Sequence, residues 1–151
     1  MNHWSRRREE TIDREERKKE RAQREDAAGK LARRVPALAT LSIAIHETRP
    51  DGVVSDTHYT RRVVLEHAPA LFEVPCSYPG CTDGGYEVTR EILDGLDTRR
   101  REFRGEQRCR GRCGDIDCTR VLRFVCTATY HEGVGAIPRA PEAAARSRLI
   151  G

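Results

Sequence analysis

The sequence predicts a small α+β protein, with a small antiparallel sheet, one packed amphipathic helix, a four-cysteine metal site and a long charged N-terminal helix. Three observations lead to this expectation. Apolar and polar residues alternate in several segments, one segment repeats apolar residues at helical spacing, and all six cysteines lie between residues 76 and 126. The chain has 151 residues and 37% hydrophobic content, which suits about one domain with a small core.

A charged helical arm is predicted over residues 1–34. From Ser5 to about Arg34 the sequence has no proline, and acids precede bases by four residues, as in Glu10 with Arg14. Each such pair supports a helix by about 0.2 to 0.5 kcal/mol. The arm carries the whole net charge of +4 and too few apolar residues for a coiled coil. We expect the arm either to fold onto an acidic partner, RNA or DNA included, or to be a soluble extension.

Residues 35–135 are expected to form the folded domain. Pro36 ends the helical pattern, and the apolar residues Leu41, Ile43 and Ile45 then alternate with small or polar ones. This period of two is typical of a strand with one buried face. The first strand of the domain is therefore predicted here.

Two more strands and one helix are predicted in this domain. An extended stretch over 58–66 follows a turn at 49–52, and the segment from Arg120 to Tyr130 alternates most regularly. Between them, Thr89 to Phe103 places its apolar residues on one face of a helix. The two strands before the cysteines and a further short segment from Leu71 to Val74 are expected to form a meander. Residues 136–151 are expected to form a disordered tail.

The clustered cysteines indicate a metal site. Disulfides do not persist in a reducing compartment, so close cysteine pairs in such a protein point first to a metal. One pair flanks a Pro79–Gly80 turn, and the next cysteine follows after 27 residues. Zn²⁺ takes four thiolates in a tetrahedral structural site. The predicted zinc ligands are Cys76, Cys81, Cys109 and Cys118.

The second half of this site allows an alternative. Cys109 and Cys118 would face each other at the mouth of a hairpin, whereas Cys113 in place of Cys109 would give two pairs with the same spacing. Cys126 is in phase with Leu122 on the last strand, so we expect it in the core as a small hydrophobic residue. A thiol-based redox sensor is a further interpretation of the cluster. A closed four-thiolate site has no open position for substrate and so predicts a non-enzymatic protein.

A cysteine pair at a Pro/Gly turn, followed by a hairpin that carries the second pair, resembles the zinc-ribbon group over about residues 74–130. The helix between the pairs departs from a plain ribbon. The order of motifs is also similar to that of small uncharacterised bacterial proteins of the same size. That resemblance brings no known activity with it. Zinc ribbons serve as modules that bind nucleic acid or protein, so the resemblance implies a binding role.

An arginine-rich segment follows the predicted helix. Seven arginines between residues 99 and 112 stand against Glu102 and Glu106, a local net charge of +5 that would attract a phosphate backbone. RNA, DNA or the ribosome is therefore the expected partner, unless these arginines only neutralise the zinc thiolates. The predicted nucleic-acid contacts are Arg99, Arg100, Arg101, Arg104, Arg108, Arg110 and Arg112.

The alternative to nucleic-acid binding is an adaptor that recognises a protein partner through the N-terminal arm. No apolar run approaches the length of about 18 residues that a membrane span needs. The chain also starts without the apolar stretch of a secretory signal. We therefore expect a cytoplasmic protein that does not bind membranes.

Overall fold

The computed structural model describes residues 3–49 and 57–132. The predicted α+β class is confirmed. Residues 50–52 of the predicted turn and the predicted tail, 136–151, lie outside the described residues. The helices are α1 (His3–Ala28), α2 (Leu31–Arg34) and α3 (Thr89–Asp97). The strands are β1 (Leu38–Thr48), β2 (Thr57–Arg62), β3 (Glu73–Val74), β4 (Tyr86–Glu87), β5 (Glu102–Arg108), β6 (Arg112–Cys113), β7 (Ile116–Asp117) and β8 (Val121–Tyr130).

The four longest strands form one antiparallel sheet in the order β2-β1-β8-β5. The first pairing of the predicted meander is present, since β2 lies antiparallel to β1. The predicted third segment is not part of it, because β3 pairs with β4 in a separate two-stranded sheet. The last strand, β8, lies in the centre of the main sheet. The reason is the apolar pattern of β8, which buries Leu122, Phe124, Cys126 and Ala128 on one face. A central position gives this strand a hydrogen-bonded neighbour on both sides while its apolar face joins the core.

The helix α3 packs on the buried face of the sheet. Its Ile92 and Leu96 belong to the same core cluster as Phe103 of β5. Sequence periodicity predicts this helix as far as Phe103, but it ends at Asp97, and Phe103 pairs with Cys126 instead. The chain turns at Arg99, which has a φ of +57°, a left-handed conformation that an α-helix does not continue through.

The exposed helix α1 joins the domain near its C-terminal end. Arg24 forms a bidentate ion pair with Glu73, with N–O distances of 2.8 and 3.0 Å. A break at Gly29 follows, and Leu31 of α2 is fully buried in the core. Although α1 has 26 residues, neither it nor any other described helix is apolar enough over a sufficient length to cross a membrane.

Candidate metal centre

Two loops bring four thiols together at one end of the sheet. The loop between β3 and β4 carries Cys76 and Cys81, and the connection from β5 to β8 carries Cys109 and Cys118. Their four Sγ atoms all lie within 4.8 Å of one another. The Cys81–Cys109 sulfur distance is 3.7 Å, and the Cys76–Cys118 distance is 4.0 Å.

These sulfur distances fit a tetrahedral metal site. With zinc–sulfur bonds of about 2.3 Å, the sulfur atoms of a regular tetrahedron lie about 3.8 Å apart. A disulfide bond would require a separation of about 2.05 Å. All six cysteines are free thiols in the structure. The cluster is therefore compatible with a zinc site and not with disulfide bonds in this arrangement.

Backbone hydrogen bonds hold the two cysteine loops against each other. Thr82 and Arg112 exchange bonds, each N–H donating to the other residue's carbonyl at 2.8 and 3.1 Å. The N–H of Arg110 donates to the carbonyl of Gly85 at 3.2 Å. Within the second loop, the N–H of Cys118 donates to the carbonyl of Gly111 at 2.8 Å. These bonds do not involve the thiols, so the backbone itself contributes to holding the loops that carry the sulfur atoms.

Two glycines make this close approach sterically feasible. A Cβ on Gly84 would overlap Cys81 Sγ, and a Cβ on Gly111 would overlap the same sulfur atom and lie 2.5 Å from Gly84 Cα. Neither glycine has a positive φ, so the requirement is for space and not for an unusual backbone conformation. Sequence reasoning missed this role of Gly111, whose signal is its position two residues after Cys109.

The thiol of Cys109 receives two backbone hydrogen bonds. The N–H of Gly85 lies 3.3 Å from its Sγ, and the N–H of Gly111 lies 3.4 Å from it. Burial opposes ionisation of Cys109, but these two donors lower its pKa below the usual range. Burial raises the pKa of Cys76, and it raises that of Cys81 to about 12. A divalent cation would supply the positive charge that stabilises the deprotonated thiols.

A buried carboxylate supports the first cysteine loop. Glu47, at the end of β1, is only 2% exposed and accepts a 2.7 Å hydrogen bond from the Tyr86 hydroxyl. The N–H of Ser77 lies 3.3 Å from both carboxylate oxygens. Burial disfavours the charged form, but the bonds from Ser77 and Tyr86 lower the pKa of Glu47. The carboxylate thereby fixes the backbone beside Cys76. Its only sequence signal is its phase with the apolar face of β1.

The two remaining cysteines are not members of the four-sulfur group. Cys113 borders the group, and burial together with the neighbouring Cys118 thiol raises its pKa. Cys126 is fully buried in the core, as its phase on β8 predicts, and burial raises its pKa to about 12. Cys113 lies half-buried on β6. Among the residues that the structure describes, the candidate ligand group contains Cys109 and not Cys113. That the grouped thiols bind zinc stays a prediction.

The arginines predicted to contact nucleic acid do not form one compact patch. All are exposed except Arg99, which is half-buried. The seven residues of β5 separate the first group from the last by about 20 Å, at roughly 3.3 Å per residue. From one end of β5 to the other, the arginines are Arg99, Arg100 and Arg101 before the strand, Arg104 and Arg108 on it, and Arg110 and Arg112 in the second cysteine loop.

Several acids reduce the charge of this segment. Glu102 pairs with Arg104 at 3.3 Å, and Asp117 pairs with Arg112 at 3.5 Å. Glu106 pairs at 2.8 Å with an arginine of β8 outside the segment. The arginines therefore form an interrupted basic stripe along one sheet edge, and nucleic-acid binding by this stripe stays a prediction.

Comparison with known proteins finds no matching family model, no matching curated protein and no matching solved structure. The geometry alone therefore defines the class of the protein. It is an α+β protein with a long N-terminal helix, a four-stranded antiparallel sheet, a short helix and a four-cysteine cluster compatible with a zinc site.

Proposed function

We propose that the protein is a non-enzymatic binding module whose two cysteine loops are joined by one structural Zn²⁺. The observation that carries this proposal is the convergence of four Sγ atoms, from two separate loops, within 4.8 Å of one another. Four thiolates complete a tetrahedral coordination shell, so no position is left for water or substrate. The zinc would be held by Cys76, Cys81, Cys109 and Cys118, in keeping with the resemblance to zinc ribbons.

We further propose RNA or DNA, including the RNA of the ribosome, as the partner of this module. The support is the basic stripe, whose exposed arginines are spread over about 20 Å along β5. A nucleic acid is itself extended and carries phosphates at regular intervals, so it suits a stripe better than a compact ligand would. Arg108 ends β5 and Arg110 lies in the second cysteine loop, where a structural zinc would hold the backbone in place.

Charge reversal tests the nucleic-acid role. The zinc-loaded full chain is compared with R100E/R104E/R108E by fluorescence anisotropy, using labelled single-stranded and duplex RNA and DNA at 50 and 200 mM salt. We expect the unmodified protein to bind with a steep salt dependence and the variant to lose binding. The matched control is R14E/R17E/R21E on α1, which has the same net charge. Equal binding by the unmodified protein and R100E/R104E/R108E would refute the role.

A protein adaptor is the second candidate, favoured by the exposed surface of α1. Trp4 is 76% exposed and Ile12 is 50% exposed, and their separation of eight residues puts them near one face of the helix. Photo-crosslinking in cells distinguishes the protein adaptor from the nucleic-acid module. A photo-crosslinking residue is introduced at position 12 on α1 or at position 104 on β5. Protein adducts from position 12 without RNA adducts from position 104 would favour the adaptor, and the reverse pattern would favour the nucleic-acid module.

A further inference from the structure

A small cavity lies beside the second cysteine loop. It has a volume of about 220 Å³, and Cys113 and Cys118 form part of its wall. Arg120 and Tyr78 line it as well, one from each cysteine-bearing segment. Neither side chain is a ligand in the proposed zinc site, so that site does not account for their position in the cavity.

Arg120 is the unusual residue in this cavity. It is only 8% exposed, and its guanidinium carbon lies 5.2 Å from the centroid of the Tyr78 ring. One guanidinium nitrogen, Nη1, donates a long 3.4 Å hydrogen bond to Ser77 Oγ. Within the described residues, no carboxylate lies within 4.0 Å of the guanidinium, and its other N–H groups have no protein acceptor. A buried cation with unused donors is unfavourable, so the cavity is a natural place for an acceptor.

We propose that this cavity binds a phosphate group, with Arg120 as the principal contact. The planar guanidinium offers paired donors that match two phosphate oxygens, and its stacking on Tyr78 fixes their direction. Arg49 and Thr119 also line the cavity. Among the described residues that line the cavity, the one acid is Asp117, which already pairs with Arg112 at 3.5 Å.

This inference deepens the proposed function and rests on it for the source of the phosphate. A nucleic-acid strand on Arg110 and Arg112 would pass close to the cavity and could place one phosphate in it. Four thiolates around Zn²⁺ leave a formal charge of −2 behind the cavity wall, which opposes an anion. We therefore expect free phosphate to bind weakly, and a phosphate held by neighbouring contacts of the same strand to bind more tightly.

Phosphate titration of the zinc-loaded full chain tests the site. Backbone NMR signals of Thr119 and Arg120 are followed during addition of inorganic phosphate, with acetate and chloride at equal ionic strength as controls. R120Q should weaken phosphate binding by about tenfold or more, because a charge-assisted bidentate contact is lost. R90Q, at an exposed arginine of α3 that does not line the cavity, should bind phosphate like the unmodified protein.

Competition with a single-stranded oligonucleotide identifies the source of the phosphate. Displacement by inorganic phosphate, together with weaker oligonucleotide binding by R120Q, would support a phosphate of the strand. Saturable phosphate binding without oligonucleotide binding would support the cavity as a site for free phosphate and contradict the nucleic-acid role. Equal oligonucleotide binding by R120Q and the unmodified protein, with no saturable response to phosphate, would overturn the inference and leave the proposed function standing.

Discussion

The Sγ atoms of Cys81 and Cys109 lie 3.7 Å apart, although the two residues are 28 positions apart in the chain. The reciprocal backbone bonds of Thr82 and Arg112 hold their loops together, and Gly84 and Gly111 leave room for the sulfur atoms. The distance is close to the edge of a zinc–thiolate tetrahedron, about 3.8 Å. A metal at this place would cross-link the two loops and so determine the stability of this end of the protein.

Removal of the metal should destabilise the cysteine loops. A structural Zn²⁺ contributes apparent binding free energy of about 10 to 16 kcal/mol, which appears as folding free energy. A strong chelator should therefore lower the midpoint of thermal unfolding by more than about 10 °C. It should also abolish the hydrogen-exchange protection of the Thr82 and Arg112 amides. An unchanged midpoint after complete chelation would argue against a structural metal.

Substitution of Gly111 by alanine should weaken zinc binding. The added methyl group would overlap Cys81 Sγ and press on Gly84 Cα, so the loops must separate or the thiol must rotate. We expect zinc affinity, measured by competition with a chromogenic chelator, to fall by at least tenfold. Gly114→Asn is the matched control, because no atom lies within 4 Å of the Cβ position there and asparagine tolerates its φ of +70°. Equal affinities for both variants would contradict the steric role of Gly111.

Cys126→Ser should destabilise the fold without loss of zinc. The thiol is fully buried in the hydrophobic core, so a hydroxyl in its place would put a more polar group in apolar surroundings. The expected loss in the free energy of unfolding is about 1 to 3 kcal/mol, measured by urea denaturation. Zinc content by elemental analysis should match that of the unmodified protein. A loss of zinc in Cys126→Ser would show that this residue is a ligand.

Tyr86→Phe should destabilise the protein through Glu47. The variant removes the 2.7 Å hydrogen bond to a carboxylate that is almost fully buried. An under-satisfied buried carboxylate costs about 1 to 3 kcal/mol, and this loss should appear in urea denaturation at pH 7. Tyr59→Phe, at an exposed tyrosine of β2, is the control and should change stability little. The hydrogen bond is energetically unimportant if both variants unfold at the same urea concentration.

Arg24→Ala should loosen the helix α1 from the domain. The variant removes both hydrogen bonds to Glu73, which tie the helix to β3. Amide hydrogen exchange in the second half of α1 should accelerate, while zinc content and the protection of β8 stay unchanged. Arg21→Ala removes only a local pair with Glu25, at 3.4 Å, and serves as the control. Equal exchange rates in the two variants would mean that the ion pair does not anchor the helix.

Local sequence patterns predict much of the fold. A strand or helix with one buried side shows a periodic pattern of apolar residues within a short stretch of sequence. This pattern predicts the strands β1 and β8 and the helix α3. The position of β8 between β1 and β5 is not visible in this way, because strand order depends on pairing between distant segments. The end of the helix at Asp97 could not be predicted either, because an arginine such as Arg99 does not indicate a left-handed backbone conformation.

The candidate metal site likewise has features that the sequence predicts and features that only the fold shows. Spacing and a hairpin argument select the four thiols that the structure brings together. The supporting groups come from elsewhere in the chain: Glu47 lies about 30 residues before the first cysteine loop, and its partner Tyr86 follows that loop. Arg120 looks like any other arginine in the sequence, and only the fold shows that it is buried beside a cavity.

Native mass spectrometry of the protein and two single-cysteine variants tests the central claim most directly. The protein is expressed without a metal-binding tag, and its mass is compared with those of Cys109→Ser and Cys113→Ser. We predict one Zn²⁺ per chain in the unmodified protein and in Cys113→Ser, and a loss of the metal in Cys109→Ser. A chain without metal, or zinc retained by Cys109→Ser and lost by Cys113→Ser, would contradict the proposed site.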